Sequence, residues 1–299
     1  MKAGFGGNGN PIRSSYHRHR CHLPSRHKRQ ESLVLEIAET VLGCLDSGTQ
    51  TVPFSGRPEG LTLEQAYQVT AKLRTLREAR GERRVGRKLG FTNKRLWPEF
   101  GIDAPIWGDI FDTTVTETGE PWQFAAAAAA EPKIEPEIAL GLEKIPEPGM
   151  DAASLLGCVG WVAHGIEIVQ SIYPGWRFRP EDTVVAGALH GAYFLGPRRR
   201  LSDANRGDWL NALSRFSLTL SCDGDEIGGG RAGDVLGGPV LALSHLVELL
   251  ARDPNNPPLL PGEFVTTGSV TLAYDISAGQ VWQTALEGVD LPPLEIEII

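Results

Sequence analysis

Apolar residues recur at every fourth position through "ESLVLEIAETVLGCLDSG". Leu33, Ile37, Val41 and Leu45 therefore line one face of an expected helix that ends at Gly48. A second helix is expected in "LTLEQAYQVTAKLRTLREARG", where Thr62 and Gln65 form a capping-box pair and Ala66, Val69, Leu73 and Leu76 supply the buried stripe. From Val85 the texture changes to short apolar runs punctuated by Gly and Pro. Strands are expected near residues 85–91, 134–143, 165–170, 184–195, 216–222, 264–270, 280–287 and 294–298, with helices near 151–163 and 240–252. "CDGDEI" reads as a tight hairpin on its Asp-Gly step. Strands and helices do not alternate regularly, which argues against a doubly wound parallel sheet. The expected fold is α+β, a mixed β-sheet that is rolled or sandwiched, preceded by a helical region.

One run breaks the apolar pattern. In "KIEPEIAL" alternate residues share a face, so Ile134, Pro136, Ile138 and Leu140 point one way and Glu135 and Glu137 together point the other. An edge strand with a solvated polar face gives the same pattern. Against that reading stands Glu167 in "HGIEIVQS", another acid inside an apolar strand. Burying three carboxylates is costly without a cation. An oxygen-only ligand set is what a hard ion such as Mg²⁺ or Mn²⁺ prefers. Lys88 in "GRKLGFTNK" adds a cation within a strand, where it can stabilise a developing oxyanion or shuttle a proton.

Other candidates are weaker. "GGGRAG" at residues 228–233 matches a nucleotide-loop spacing but follows a hairpin turn and meets another glycine pair before any helix, so a flexible active-site or turn loop is expected instead. His245 shares a helical face with Glu248 and Arg252, a solvated face. His164 is expected at a helix–strand junction. His190, among small residues in "AGALHGAYFLG", suits a core histidine and a site histidine equally.

Composition narrows the class. The 299 residues are 41% hydrophobic and 22% charged, as in soluble globular proteins. Residues 1–30 carry two Lys, five Arg and no acid, a basic tail expected to be disordered; subtracting its +7 from the net −8 leaves −15 on the remainder. So acidic a body disfavours nucleic acid. The four cysteines, Cys21, Cys44, Cys158 and Cys222, are too scattered for a zinc site or a disulfide framework, which fits a reducing cytoplasm. No apolar stretch spans a membrane and no secretory signal is expected.

Taken in order, "GRKLGFTNKRLWPEFGIDAPIWG", "IEPEIAL", "GIEIVQS" and "FVTTGSVT" resemble the 2-keto-4-pentenoate hydratase family. That family includes 4-oxalocrotonate decarboxylases and belongs to the fumarylacetoacetate hydrolase superfamily. The resemblance covers roughly residues 35–298 and implies a catalytic β-roll over 85–299 behind a helical region at 31–84. It implies a divalent metal held by Glu135, Glu137 and Glu167. Lys88 and Asp103 become catalytic, and Thr267, Gly268 and Ser269 close the pocket on the substrate's carboxylate side. Two departures alter the surroundings: Gln170 and Ile172 replace the family's usual Asp and Arg, and an Asp-Asn pair is missing near His190, which is assigned to the site in place of the Asn. The implied activity is hydration of a 2-hydroxy-2,4-dienoate in aromatic catabolism. The alternatives are decarboxylation of 2-oxo-3-hexenedioate, acylpyruvate C–C hydrolysis, or a non-catalytic partner subunit. The resemblance also implies a homo-oligomer, with association between hydratase and decarboxylase known in the family.

Overall fold

The computed structural model describes residues 26–117 and 121–299. The chain opens with helices α1 (Arg26–Ser47) and α2 (Leu63–Ala79), then strands β1 (Arg84–Gly90), β2 (Ile106–Phe111), β3 (Val115–Thr116), β4 (Trp122–Phe124) and β5 (Lys133–Leu142), with a one-turn helix α3 (Trp97–Phe100) between β1 and β2. There follow α4 (Ala152–Leu156), β6 (Val159–Val169), α5 (Pro180–Val185), β7 (His190–Leu195), β8 (Arg199–Arg200), α6 (Arg206–Leu213), β9 (Ser217–Cys222) and β10 (Asp225–Arg231). Helix α7 (Pro239–Ala251) and strands β11 (Phe264–Ser269), β12 (Tyr274–Asp275), β13 (Val281–Glu287) and β14 (Glu295–Ile298) complete it.

One sheet runs β2-β1-β11-β5-β6-β7-β3 with β12 and β8 attached, and the other runs β10-β9-β13-β14-β4. The long antiparallel β5–β6 pair sets the register of the first sheet, placing Glu135 opposite Glu167, Glu137 opposite Gly165 and Ala139 opposite Ala163. One face of this pair, with Ile138, Leu140, Val162 and Ile166, packs in a core shared with Leu220, Trp282 and Ile296 of the second sheet and Leu243 and Leu246 of α7. Fully burying each such side chain stabilises the fold by roughly 1.5–3 kcal/mol. On the opposite face Ile110 of β2 joins Tyr193 and Leu195 of β7 in one cluster with Ala139 and Phe264. Those strands stand near the two ends of the sheet order, so the sheet curls until its flanks meet: it is a roll.

Helices α1 and α2 pack with α5 and β2 through Ile37, Val41, Ala66, Val69, Ile106, Ile172 and Val184. The capping box forms as the sequence predicts: Thr62 Oγ1 accepts from the Gln65 amide at 3.2 Å and Gln65 Oε1 accepts from the Thr62 amide at 2.9 Å. Helix α1 already begins at Arg26, inside the segment read as tail, and Gln30 donates to Gln68 at 3.0 Å. The tail expectation for residues 1–25 lies outside the described residues.

Several elements differ from expectation. The segment 184–189 is not strand, because Pro180 starts α5 there and the chain then turns through Gly187–Leu189. Strand β2 was not anticipated, since its six residues are all buried and show no alternation. The "GGGRAG" glycines are neither a nucleotide loop nor a flexible active-site loop. They lie mostly in strand β10, where a Cβ on Gly230 would meet the Val270 carbonyl oxygen at 1.8 Å.

Candidate active site

The two faces of β1 separate two neighbouring cations. Arg87 faces the inter-sheet side, where its Nε lies 2.9 Å from Asp109 and its guanidinium sits 5.2 Å from the Trp107 ring centre. Lys88 faces into the roll, and its Nζ lies 2.8 Å from Glu167 Oε2. Both residues are buried.

Around Lys88 the roll gathers the three acids. Glu135, Glu137 and Glu167 present carboxylate oxygens that all lie within 4.8 Å of one another. Glu137 and Glu167 are fully buried and Glu135 is partly so. Glu137 Oε2 accepts the Gly268 amide at 3.0 Å, whereas its Oε1 has no partner among the described residues. Glu167 Oε1 lies 2.7 Å from His190 Nδ1. The Lys88 ammonium, 2.8 Å from Oε2, forms a buried ion pair with the same carboxylate.

These contacts pull the three acids apart electrostatically. Burial pushes Glu135 up to about 7, with the Glu167 charge adding to the effect and Lys88 opposing it. Burial, and then Glu167, push Glu137 well above the ordinary carboxylate range. For Glu167 burial works upward too, but Lys88 and the His190 hydrogen bond outweigh it and hold this carboxyl low. Burial would strip Lys88 of its proton; the three carboxylates more than offset that and keep it charged. An all-oxygen set at this spacing, with an unpartnered buried oxygen, fits a hard divalent cation.

The backbone has been shaped to allow this convergence. Gly268 has φ of +99°, and a Cβ there would stand 2.1 Å from Thr92 Oγ1, so only glycine delivers its amide to Glu137. Gly165, opposite Glu137, admits the Tyr193 ring, whose hydroxyl oxygen would lie 2.2 Å from a Cβ.

Lys88 and Glu135 also line a cleft of about 210 Å³, together with Ser269, Thr92, Asn93 and a wall of apolar side chains. The structure brings Lys88, the three acids, Gly268 and His190 together. It gives Thr267 and Asp103 different places. Thr267 is buried and donates to the Ile138 carbonyl at 3.0 Å, so of its trio Ser269 alone lines the cleft. Asp103 is exposed on the loop between α3 and β2 and is not among the lining residues, although Phe100 and Ile106 on either side are. His190 touches Glu167 and, through Nε2, Thr114 Oγ1 at 2.8 Å, but does not line this cleft; it borders a separate cavity with Arg77 and Gln170.

Two further histidines among the described residues, His164 and His245, are not among the residues lining the cleft. His164 lies within β6 rather than at a helix junction, bonded to the Glu137 carbonyl and Thr284 Oγ1, and burial lowers it to about 4. His245 is half-buried on α7, where Arg252 pairs with Glu248 at 3.5 Å. The first departure from the family pattern is absorbed structurally: Gln170 accepts the Ala130 amide at 3.2 Å and Ile172 packs beneath α1 and α5.

The reading of the sequence missed the aromatic wall, formed in part by Phe91, Phe100, Trp176 and Phe178. The alternation of Trp176 and Phe178 with exposed Arg177 and Arg179 was its available signal.

No family model matches the chain. It is 29% identical over 246 residues to 2-hydroxyhexa-2,4-dienoate hydratase of Comamonas testosteroni, covering 82% of this chain and 90% of that one. It is 31% identical over 235 residues to 2-keto-4-pentenoate hydratase of Paraburkholderia phymatum (strain DSM 17167 / CIP 108236 / LMG 21445 / STM815), covering 78% and 85% respectively. Among solved structures, 4-oxalocrotonate decarboxylase from Pseudomonas putida G7, complexed with magnesium and adipate, superposes with a TM-score of 0.82 at 23% identity, over 90% of this chain and 98% of that one. Sequence relationship and shared fold agree: the chain belongs to the 2-keto-4-pentenoate hydratase family.

Proposed function

We propose that the protein is a metal-dependent hydro-lyase that adds one water to a 2-hydroxy-2,4-dienoate, yielding a 4-hydroxy-2-oxo acid. The observation that carries this reading is the set of three strand carboxylates within 4.8 Å, with Glu137 Oε1 unpartnered, beside an apolar cleft. The hydratase names of the sequence relatives support the reaction class. Glu135, Glu137 and Glu167 would hold the ion, for which Mg²⁺ and Mn²⁺ suit the oxygen donors. Bound there, a divalent cation supplies positive charge against the C1 carboxylate and the C2 oxygen, on which negative charge develops.

The remaining work falls to the chain. Lys88 fixes the Glu167 carboxylate and presents Nζ to the cleft, where it can hold or release a proton next to the reacting carbons. His190 holds Glu167 from the side away from the cleft, which makes it a positioning residue. Ser269, Thr92 and Asn93 offer hydrogen bonds to the polar end of the substrate. The apolar wall excludes bulk water, strengthening every charge interaction inside. In the overall reaction the dienol and water combine with no other product: carbon 4 gains the hydroxyl, carbons 3 and 5 each gain a proton, and the enol oxygen gives up its proton as it becomes a ketone.

The three cysteines among the described residues, Cys44, Cys158 and Cys222, are free, which suits a reducing cytoplasm. Assembly as a homo-oligomer belongs to the same proposal and is read by sedimentation of the purified chain.

Loss of the dienol's ultraviolet absorbance tests the activity. Turnover should vanish on thorough chelation and return with Mg²⁺ or Mn²⁺; unchanged turnover after chelation would contradict the role of the metal.

A further inference from the structure

We infer that the cleft selects 2-hydroxydienoates whose far end is apolar and rejects those that end in a second carboxylate. The inference rests on the reading of the three-carboxylate site as the anchor for a 2-oxo acid and names the substrate class that site serves.

The first argument is charge. Among the described residues lining the cleft, Lys88 and Glu135 are the ionisable ones. Lys88 is already committed to Glu167 at 2.8 Å, so no lining cation is free for a distal carboxylate. Arg177 and Arg179 flank Phe178 in sequence but are exposed and are not lining residues. Lys133 lies 5.0 Å from the Trp176 ring centre, and its Nζ is paired with Asp275 at 2.7 Å. A carboxylate buried against this wall would lose its hydration with nothing to replace it.

The second argument is the wall itself. Phe91 and Phe100 have ring centres 4.6 Å apart, Phe100 and Phe178 are 6.4 Å apart, and Trp176 and Phe178 are 6.1 Å apart. Leu189 and Leu272 extend this surface. The Trp176 indole nitrogen donates to the Glu131 carbonyl at 3.1 Å, which fixes that ring.

The third argument is independent of side-chain chemistry. Among the described residues seven non-glycine residues have positive φ, and four of them line this cleft: Phe91 (54°), Trp176 (55°), Ala188 (56°) and Leu189 (65°). Left-handed backbone is unfavourable for such side chains and concentrates where a ligand surface demands it. The strain here serves to turn apolar groups inward.

Two measurements on the full-length, Mg²⁺-loaded protein test the inference. In the first, kcat/KM is compared for 2-hydroxy-2,4-dienoates bearing hydrogen, methyl, phenyl or carboxylate at carbon 5. Methyl should exceed hydrogen by about tenfold, in keeping with the worth of one methyl group in an apolar pocket, and carboxylate should fall at least about tenfold below methyl. In the second, calorimetry compares the unreactive acids 2-oxohexanoate and 2-oxoadipate, and the first should bind at least about tenfold tighter. Phe178→Ala should shrink the methyl-to-hydrogen ratio. Equal or better use of the carboxylate compound, or equal binding of the two saturated acids, overturns the inference. Tighter 2-oxohexanoate binding without turnover of any dienoate would sustain it while sinking the hydratase reading.

Discussion

Glu137 and Glu167 are carboxyls buried to the same depth but with different partners, and the difference decides what each substitution does. Glu137→Gln replaces a carboxyl that burial already holds toward its neutral form, and whose Oε1 has no partner, with a neutral amide. Without metal, this variant should melt at or above the wild-type temperature, while its stabilisation by Mg²⁺ should disappear. Glu167→Gln leaves the Lys88 ammonium buried beside a neutral amide. Breaking a buried pair in that way costs roughly 3–5 kcal/mol, so the metal-free protein should melt markedly lower. Equal melting of the two variants would show that Lys88 does not depend on Glu167. A pH dependence follows from the raised carboxyls. Glu135, near 7, and Glu137, raised by burial and the Glu167 charge, must shed protons to bind a cation, so Mg²⁺ affinity should weaken as pH falls through 7. Calorimetric affinities that stay flat from pH 8 to pH 6 would contradict it. At this scale the sequence was most readable, because period-two alternation puts Glu135 and Glu137 on one face and leaves an acid such as Glu167 conspicuous among Ile and Val. It could not show that His190 lies behind Glu167, or that Asp103 stays outside the cleft, since both depend on how the chain folds around them.

Strand β11 shows how one backbone position serves the site. Gly268 combines left-handed φ with close packing on Thr92 and sends its amide to Glu137. Gly268→Ala should cost roughly 1–3 kcal/mol of stability and weaken Mg²⁺ binding as well, because the amide moves. Thermal melts with and without Mg²⁺ separate the two effects; a loss of stability with undiminished metal response would leave Gly268 a packing glycine. Element types were legible where a single face is buried. The α2 stripe and its capping box read directly from Thr62, Gln65 and the apolar spacing. They were not legible where both faces are buried, as in β2, or where an apolar run serves as helix, turn and strand in succession, as in "TVVAGALHGAYFL". Periodicity carries no signal in such runs.

The roll explains why residues far apart in sequence meet: curling the sheet brings β1, β5, β6 and β11 around one interior, and α1, α2 and α5 pack against the cleft-lining Ile106 and Ala188. The element pattern left a rolled and a sandwiched sheet both open, and the resemblance pointed to the roll. The basic segment should stand apart from this machinery. Removing residues 1–25, which precede α1, should leave turnover and melting temperature unchanged, and a loss of either would show that the segment packs on the roll. The central claim is hydration at the three-carboxylate site. It is tested most directly by mass analysis of the product formed from 2-hydroxypenta-2,4-dienoate by chelated protein, Mg²⁺-reloaded protein and reloaded Glu137→Gln. The account predicts a product heavier by one water from the reloaded wild type alone. The same product from chelated protein or from Glu137→Gln, or no product from the reloaded wild type, would contradict it.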